Sequence, residues 1–372
     1  MAISHRCCNS IVPSDIRRMF EGHWNWKELS RVVPLVDVRR YSHLPWNKGG
    51  LSYNPTLTID DIQSLQIKDG HWNWFAISMR IPLVDVRRYP DLPWDRLGLS
   101  RNPTLTISDI QSIPEMDDWD WFAISALIPL SEVRRYPNLH WDKDGLSYNP
   151  TLTISDIQSL SDINGHWNWY KISTWMSLSE VRRYPNLPWD KDGLSQNHTL
   201  TVDDIRYLSD MTGEWDWIEI SSRISLSEVR SNLDLPWNRY GLSQNHTLTV
   251  DDVQNLQIKD GLWYWFEISS IILLSTVRDN LCLPWDRWGL SWNSTLSISD
   301  IESLLLDERH WDWINIASKI RIIDVYTHSN LKWNRCGLSR NKDIRVSDLI
   351  AWHEIPPSIY KRWQYPTDIV IM

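Results

Sequence analysis

With 47 acidic against 38 basic side chains in 372 residues, the chain carries a net charge of −9, which argues against a general nucleic-acid or anionic-membrane binder. No apolar run reaches signal-peptide or transmembrane length, so a soluble, intracellular protein without a membrane partner is expected. The four cysteines, Cys7, Cys8, Cys282 and Cys336, follow no regular spacing and therefore fit a reducing compartment rather than a disulfide framework.

Residues 1–22 are read as a partial repeat or cap, because Ile11-Val-Pro-Ser-Asp-Ile16 matches a pattern that returns later. From residue 23 to 351 the triplet Trp-x-Trp recurs at Trp24, Trp72, Trp119, Trp167, Trp215, Trp263 and Trp311, 48 residues apart at every step but one, which is 47. A single period of this length predicts stacked supersecondary units, and with the helix signals below an all-α fold, an α-solenoid of seven repeats. Each repeat is itself double. In the third, WDWFAIS…LSEVRRYPNLH and WDKDGLS…ISDIQSL share a Trp, a Ser and a closing apolar-acid pattern, so each unit comprises two helix-turn-helix halves. Residues 352–372 are read as a C-terminal cap.

Within a unit the elements follow in order. Trp24 and Trp26, placed on one helix, would lie about 200° apart, so first-half helices are expected to be sandwiched between neighbours. The second half opens at Pro45-Trp46, Pro93-Trp94, Pro188-Trp189, Pro236-Trp237 or Pro284-Trp285, with Pro suited to a first helical turn and the following Asp or Asn to its N-terminus. That helix should stop near Asn54, Asn102, Asn149, Asn197, Asn245, Asn293 and Asn341, since Asn tolerates a left-handed C-cap. A glycine in each second half, from Gly50 to Gly337, is expected at a close helix approach. Thr-Leu-Thr-Ile could form a strand on propensity alone. The repeated Thr-x-x-Asp at Thr58, Thr106, Thr153, Thr201 and Thr249, with Ser177-x-x-Glu180 and Ser225-x-x-Glu228, favours a capped helix instead.

The pattern Trp-(Asn/Asp)-Trp-x-x-(Ile/Leu)-Ser…Asn-Pro-x-(Leu/Ile)-Thr, over roughly residues 9 to 350, resembles the tryptophan-rich repeat proteins encoded by large DNA viruses of amoebae. The resemblance implies a virus-encoded helical-repeat protein located in host cytoplasm or virion. It implies no enzyme activity and transfers no functional residues.

No catalytic, cofactor or metal constellation emerges. His5, Cys7 and Cys8 lack ligand spacing, and the column His23, His71, His166 and His310 is interrupted by Asp118, Glu214 and Leu262. The serine column from Ser52 to Ser339 has no fixed His partner, which points to a non-enzymatic protein. Asn197-His-Thr, Asn245-His-Thr and Asn293-Ser-Thr match a glycosylation pattern and are read as accidents of the repeat.

Two basic columns admit two readings. Lys48, Arg96, Lys143, Lys191, Arg239, Arg287 and Arg335 form one, and Arg39, Arg87, Arg134, Arg182, Arg230 and Arg278, then Tyr326, form the other. They could form a ladder for phosphates. Alternatively they pair with the Asp column from Asp61 to Asp348 or stack on Trp of the adjacent layer, and the excess of acid favours this.

A protein partner is therefore favoured over nucleic acid. The third and seventh residues after each second-half Trp share one helix face and vary freely, so they should face solvent. Their sixth pair is Trp288 with Trp292, and Tyr240 lies one unit before. These three are the candidate partner-binding residues.

Overall fold

The computed structural model describes residues 23–353 apart from 113–118, 161, 162, 164, 305–310, 329 and 330. The partial repeat over 1–22, with His5, Cys7 and Cys8, lies outside the described residues, as does the chain beyond 353. Regular structure among the described residues is helical, with β pairing limited to the isolated bridges Asn47–Asp69 and Asn238–Asp260. The expected α-solenoid is formed, as repeated helix pairs packing in succession. Contacts divide the chain into two compact units, Met1–Trp94 with Leu296–Met372, and Asp95–Thr295.

The fourth repeat shows the pattern. Its helices are Trp169–Trp175, Leu178–Arg183, Lys191–Ser195 and Val202–Tyr207. Helices of this length are unstable alone, so tertiary contacts must hold them. Trp169–Trp175 packs on Lys191–Ser195, which meets Trp217–Arg223 of the next repeat. The core runs on across the repeat boundary: Val202, Ile205, Ile220, Ile224, Val229, Trp237 and Leu242 belong to one buried cluster.

Helix starts differ from the sequence expectation. Pro and Trp precede the second-half helix, and the Asp or Asn after them is the N-cap, as where the Asp190 carboxylate accepts from Gly193 N–H at 2.7 Å. Trp24 likewise lies ahead of the N-cap Asn25, and the helix begins at Trp26. The 200° argument therefore fails, because the first Trp of each triplet is not on the helix.

The capping boxes are formed. Thr58 with Asp61, Thr153 with Asp156, Thr201 with Asp204 and Thr249 with Asp252 bond in both directions, and so does Ser297 with Asp300. The Ser177 and Ser225 hydroxyls accept from the N–H of Glu180 and Glu228 at 3.4 and 3.3 Å. Each box satisfies helix-end groups that would otherwise lose water on packing.

Three buried devices join one half-unit to the next. The first is the serine column. Ser195 Oγ donates to Lys191 O at 2.8 Å and accepts the N–H of the next N-cap, Asp216, at 2.9 Å. Ser173 likewise accepts from Asp190 N–H at 3.0 Å. At Ala317, fully buried, the hydroxyl of this column is missing.

The second device is the asparagine after the second-half helix. Asn197 Nδ2 donates to Ser173 O and Met176 O at 3.0 and 2.8 Å, and its Oδ1 accepts from Thr199 N–H and Oγ–H. Asn245 does the same with Ser221, Ile224 and Thr247. The helix does end near Asn, but not by a left-handed residue: Asn293, a C-cap, has φ −63°. The amide spans the gap to the preceding helix end. Because Asn197, Asn245 and Asn293 are buried with committed amides, the folded chain offers no glycosylation acceptor at these sequons.

Close approach requires the second-half glycine. A Cβ at Gly193 would overlap the carbonyl oxygen of Tyr170, and one at Gly241 that of Ile218.

The third device is an indole pair within each repeat. The second Trp of the triplet meets the second-half Trp edge to face in all seven repeats, from Trp26–Trp46 to Trp313–Trp333, at 5.2–5.6 Å and 81–90°. Such pairs contribute about 0.5–1.5 kcal/mol beyond area burial. The second-half indole also donates to a carbonyl five residues back, as Trp237 Nε1 does to Asn232 O at 2.7 Å.

Candidate interaction surface

The basic columns are engaged by partners of the array itself. Arg39 bonds Asp61 at 2.6 and 2.9 Å, Arg230 bonds Asp252 at 2.7 Å through two nitrogens, and Arg134 and Arg182 pair with Asp156 and Asp204. Where the column ends in tyrosine, Tyr326 Oη donates to Asp348 at 2.9 Å. Burial alone would push the Asp61 and Asp252 carboxyls up. The paired guanidinium, with the hydroxyl and N–H of Thr58 or Thr249, outweighs it and holds both below the usual carboxylate range. The second column lies over the next repeat's first Trp: Lys143 over Trp167, Lys191 over Trp215 and Arg239 over Trp263, at 5.5–6.0 Å. This is the pairing-and-stacking reading, and it leaves these cations occupied inside the array.

The variable stripe does reach solvent. Trp288 and Trp292 are 54% and 53% exposed on the helix Arg287–Trp292, which Asp286 caps by accepting from Gly289 N–H at 2.6 Å. Four residues apart, they lie one turn from each other on one face. Tyr240, also exposed, opens the first turn of Arg239–Ser243.

Tyr240 does not stand alone. Its ring stacks on Tyr264 at 5.4 Å and 27°, and Tyr264 lies 5.8 Å from Phe266. Tyr264 and Phe266 were not singled out by sequence. The signal was present: Tyr264 is the middle residue of a triplet that elsewhere reads Trp-Asn-Trp or Trp-Asp-Trp, and Leu262 stands where other repeats have His, Asp or Glu. Leu262 is 81% exposed.

The Tyr264 substitution has a cost that the geometry makes plain. In other repeats this position caps the helix, as Asn73 does by accepting from Ala76 N–H at 3.1 Å and Asp216 from Glu219 N–H at 3.1 Å. Tyr264 makes no side-chain cap bond. Replacing a good cap by a residue that cannot cap costs about 1 kcal/mol. Repeat six therefore gives up a cap and gains an exposed ring.

Among the described residues no group of His, Cys, Asp and Glu could hold a metal ion, and no helix is long and apolar enough to cross a membrane. Comparison of the chain with protein-family models, with curated proteins and with solved structures finds no match.

Proposed function

We propose that the chain is a non-enzymatic repeat scaffold that binds a protein partner through the exposed aromatic residues of its fifth and sixth repeats. The observation that carries this reading is Tyr264, where a helix cap recurring through the array is given up for a solvent-exposed ring stacked on Tyr240. Local stability is lost there without any gain in the core, the mark of a position kept for another purpose. Trp288 and Trp292 extend the same apolar character by one helix, and exposed aromatic clusters are typical anchors of interfaces. The resemblance to repeat proteins of amoebal viruses is part of this proposal, with the host cytoplasm or the virion as the place of action.

The test is a pull-down with the full chain and a Trp288→Ala/Trp292→Ala double variant. Both side chains are half-exposed, so an unchanged circular dichroism spectrum is expected. Loss of one or more specifically recovered proteins supports the proposal, and unchanged recovery of every protein overturns it.

A further inference from the structure

From the third repeat to the fifth, the third residue after the second-half Trp meets the middle residue of the next triplet, 24 positions on, and the chemistry of that pair changes along the array. The first such pair is Asp144 with Asn168, whose Nδ2 donates to the Asp144 carboxylate at 2.9 Å. One period later it is Asp192 with Asp216, and after another it is Tyr240 stacked on Tyr264. Trp288 begins the next step, with Trp292 on the same helix. Amide and acid give way to two acids, and these to aromatic rings.

The acidic step is not neutralised at Asp192. Burial and the nearby carboxylates of Asp216, Asp190 and Glu219 push the Asp192 carboxyl up. Arg223 is committed elsewhere, to Glu219 at 3.2 Å and to Gln196 O at 2.9 Å. Asp192 is exposed and Asp216, which caps its helix, is partly buried, and two neighbouring carboxylates repel until a cation comes between them. The Tyr and Trp faces beside them carry the negative side of the ring quadrupole, which attracts the same kind of group. Carboxylate and π-face in succession suit a guanidinium or ammonium ion and disfavour phosphate. Resting on the function proposed above, we infer that the partner presents an arginine- or lysine-bearing segment to this line, with cations at Asp192/Asp216 and over Tyr240, Tyr264, Trp288 and Trp292.

The test is fluorescence anisotropy of a labelled alternating Arg-Gly decapeptide with the full chain, beside Glu-Gly and Gln-Gly counterparts. Asp192→Asn/Asp216→Asn keeps the fold, because Asn168 already caps the equivalent helix. Asp203→Asn/Asp251→Asn removes the same charge from two exposed sites on other helices. The inference predicts binding of the Arg-Gly peptide alone. It also predicts an affinity loss of about tenfold in Asp192→Asn/Asp216→Asn and in Trp288→Ala/Trp292→Ala, against less than about twofold in the control. Equal effects of the two Asp pairs, or equally tight Glu-Gly or Gln-Gly binding, would overturn it. If the Trp pair still governs protein recovery while the Arg-Gly peptide fails to bind, the aromatic surface stands and its basic ligand does not.

Discussion

The main-chain N–H of Asn25 donates to the Ser339 hydroxyl at 2.9 Å, joining residues 314 positions apart by the bond that elsewhere joins residues 21 apart, as between Asp216 and Ser195. Arg335 lies over Trp24 at 6.0 Å, as Arg239 lies over Trp263. Trp352 stacks on Trp24 at 5.9 Å and 4°. The seventh repeat thus receives the first as its successor. Trp352 belongs to the helix Val346–His353, which crosses the expected boundary between array and cap.

Because that junction repeats the serine clamp, Ser339→Ala and Ser195→Ala should cost the same. Each leaves a main-chain N–H without its hydroxyl acceptor, for a loss of about 1–3 kcal/mol. Denaturant midpoints of the two variants measure it. A normal loss for Ser195→Ala with none for Ser339→Ala would show that the terminal junction does not form.

Trp237→Ala should cost about 3–5 kcal/mol, the range for buried aromatics. Its side chain is 1% exposed, lies edge to face with Trp217 at 5.4 Å and donates to Asn232 O. A denaturant titration checks this, and a loss below about 1 kcal/mol would contradict the packing described.

The Arg–Asp ladder makes stability depend on pH in a definite direction. The Asp61, Asp156 and Asp252 carboxyls sit below their usual value when folded: burial raises each, and the hydrogen-bonded Arg and Thr groups overcome it. Their contribution is present in full above the unfolded pKa of about 3.9 and is lost as pH falls through the lower folded values. Stability should therefore decline below about pH 4. Arg230→Met leaves Asp252 buried without its guanidinium, but Arg230 is itself half-exposed, so a loss of about 1–2 kcal/mol is expected at neutral pH. Midpoints from pH 7 to 3 should show the gap to the parent chain narrowing on acidification.

What could be read from sequence was whatever acts over a few residues. The helices and the Thr-x-x-Asp boxes depend on neighbours three or four positions away, and they form as expected. The serine clamp, the asparagine bridge and the indole pair depend on partners 17 to 24 residues away, as in Ser173–Asp190 and Asn197–Ser173. Regular spacing reveals that such columns matter but not what they touch. Pro-Trp misled for a related reason: Pro fits the first helical turn, yet the Asp or Asn side chain accepts from the N–H three residues on and starts the helix two residues after Trp. Of the interaction surface, Tyr240, Trp288 and Trp292 were legible because a face that varies must be exposed. Tyr264 was overlooked because a position that recurs as a cap is read as structural even in the repeat where the cap is absent.

Tyr264→Asn is the most direct measurement of the central claim, that this surface serves recognition rather than stability. The substitution restores the cap carried by Asn73 and Asn168 and removes the ring that stacks on Tyr240. The account predicts a stability within about 1 kcal/mol of the parent chain, because the restored cap offsets the lost ring stack, together with a loss of partner recovery in pull-down. Partner recovery equal to that of the parent chain, in a variant that is folded, would contradict it.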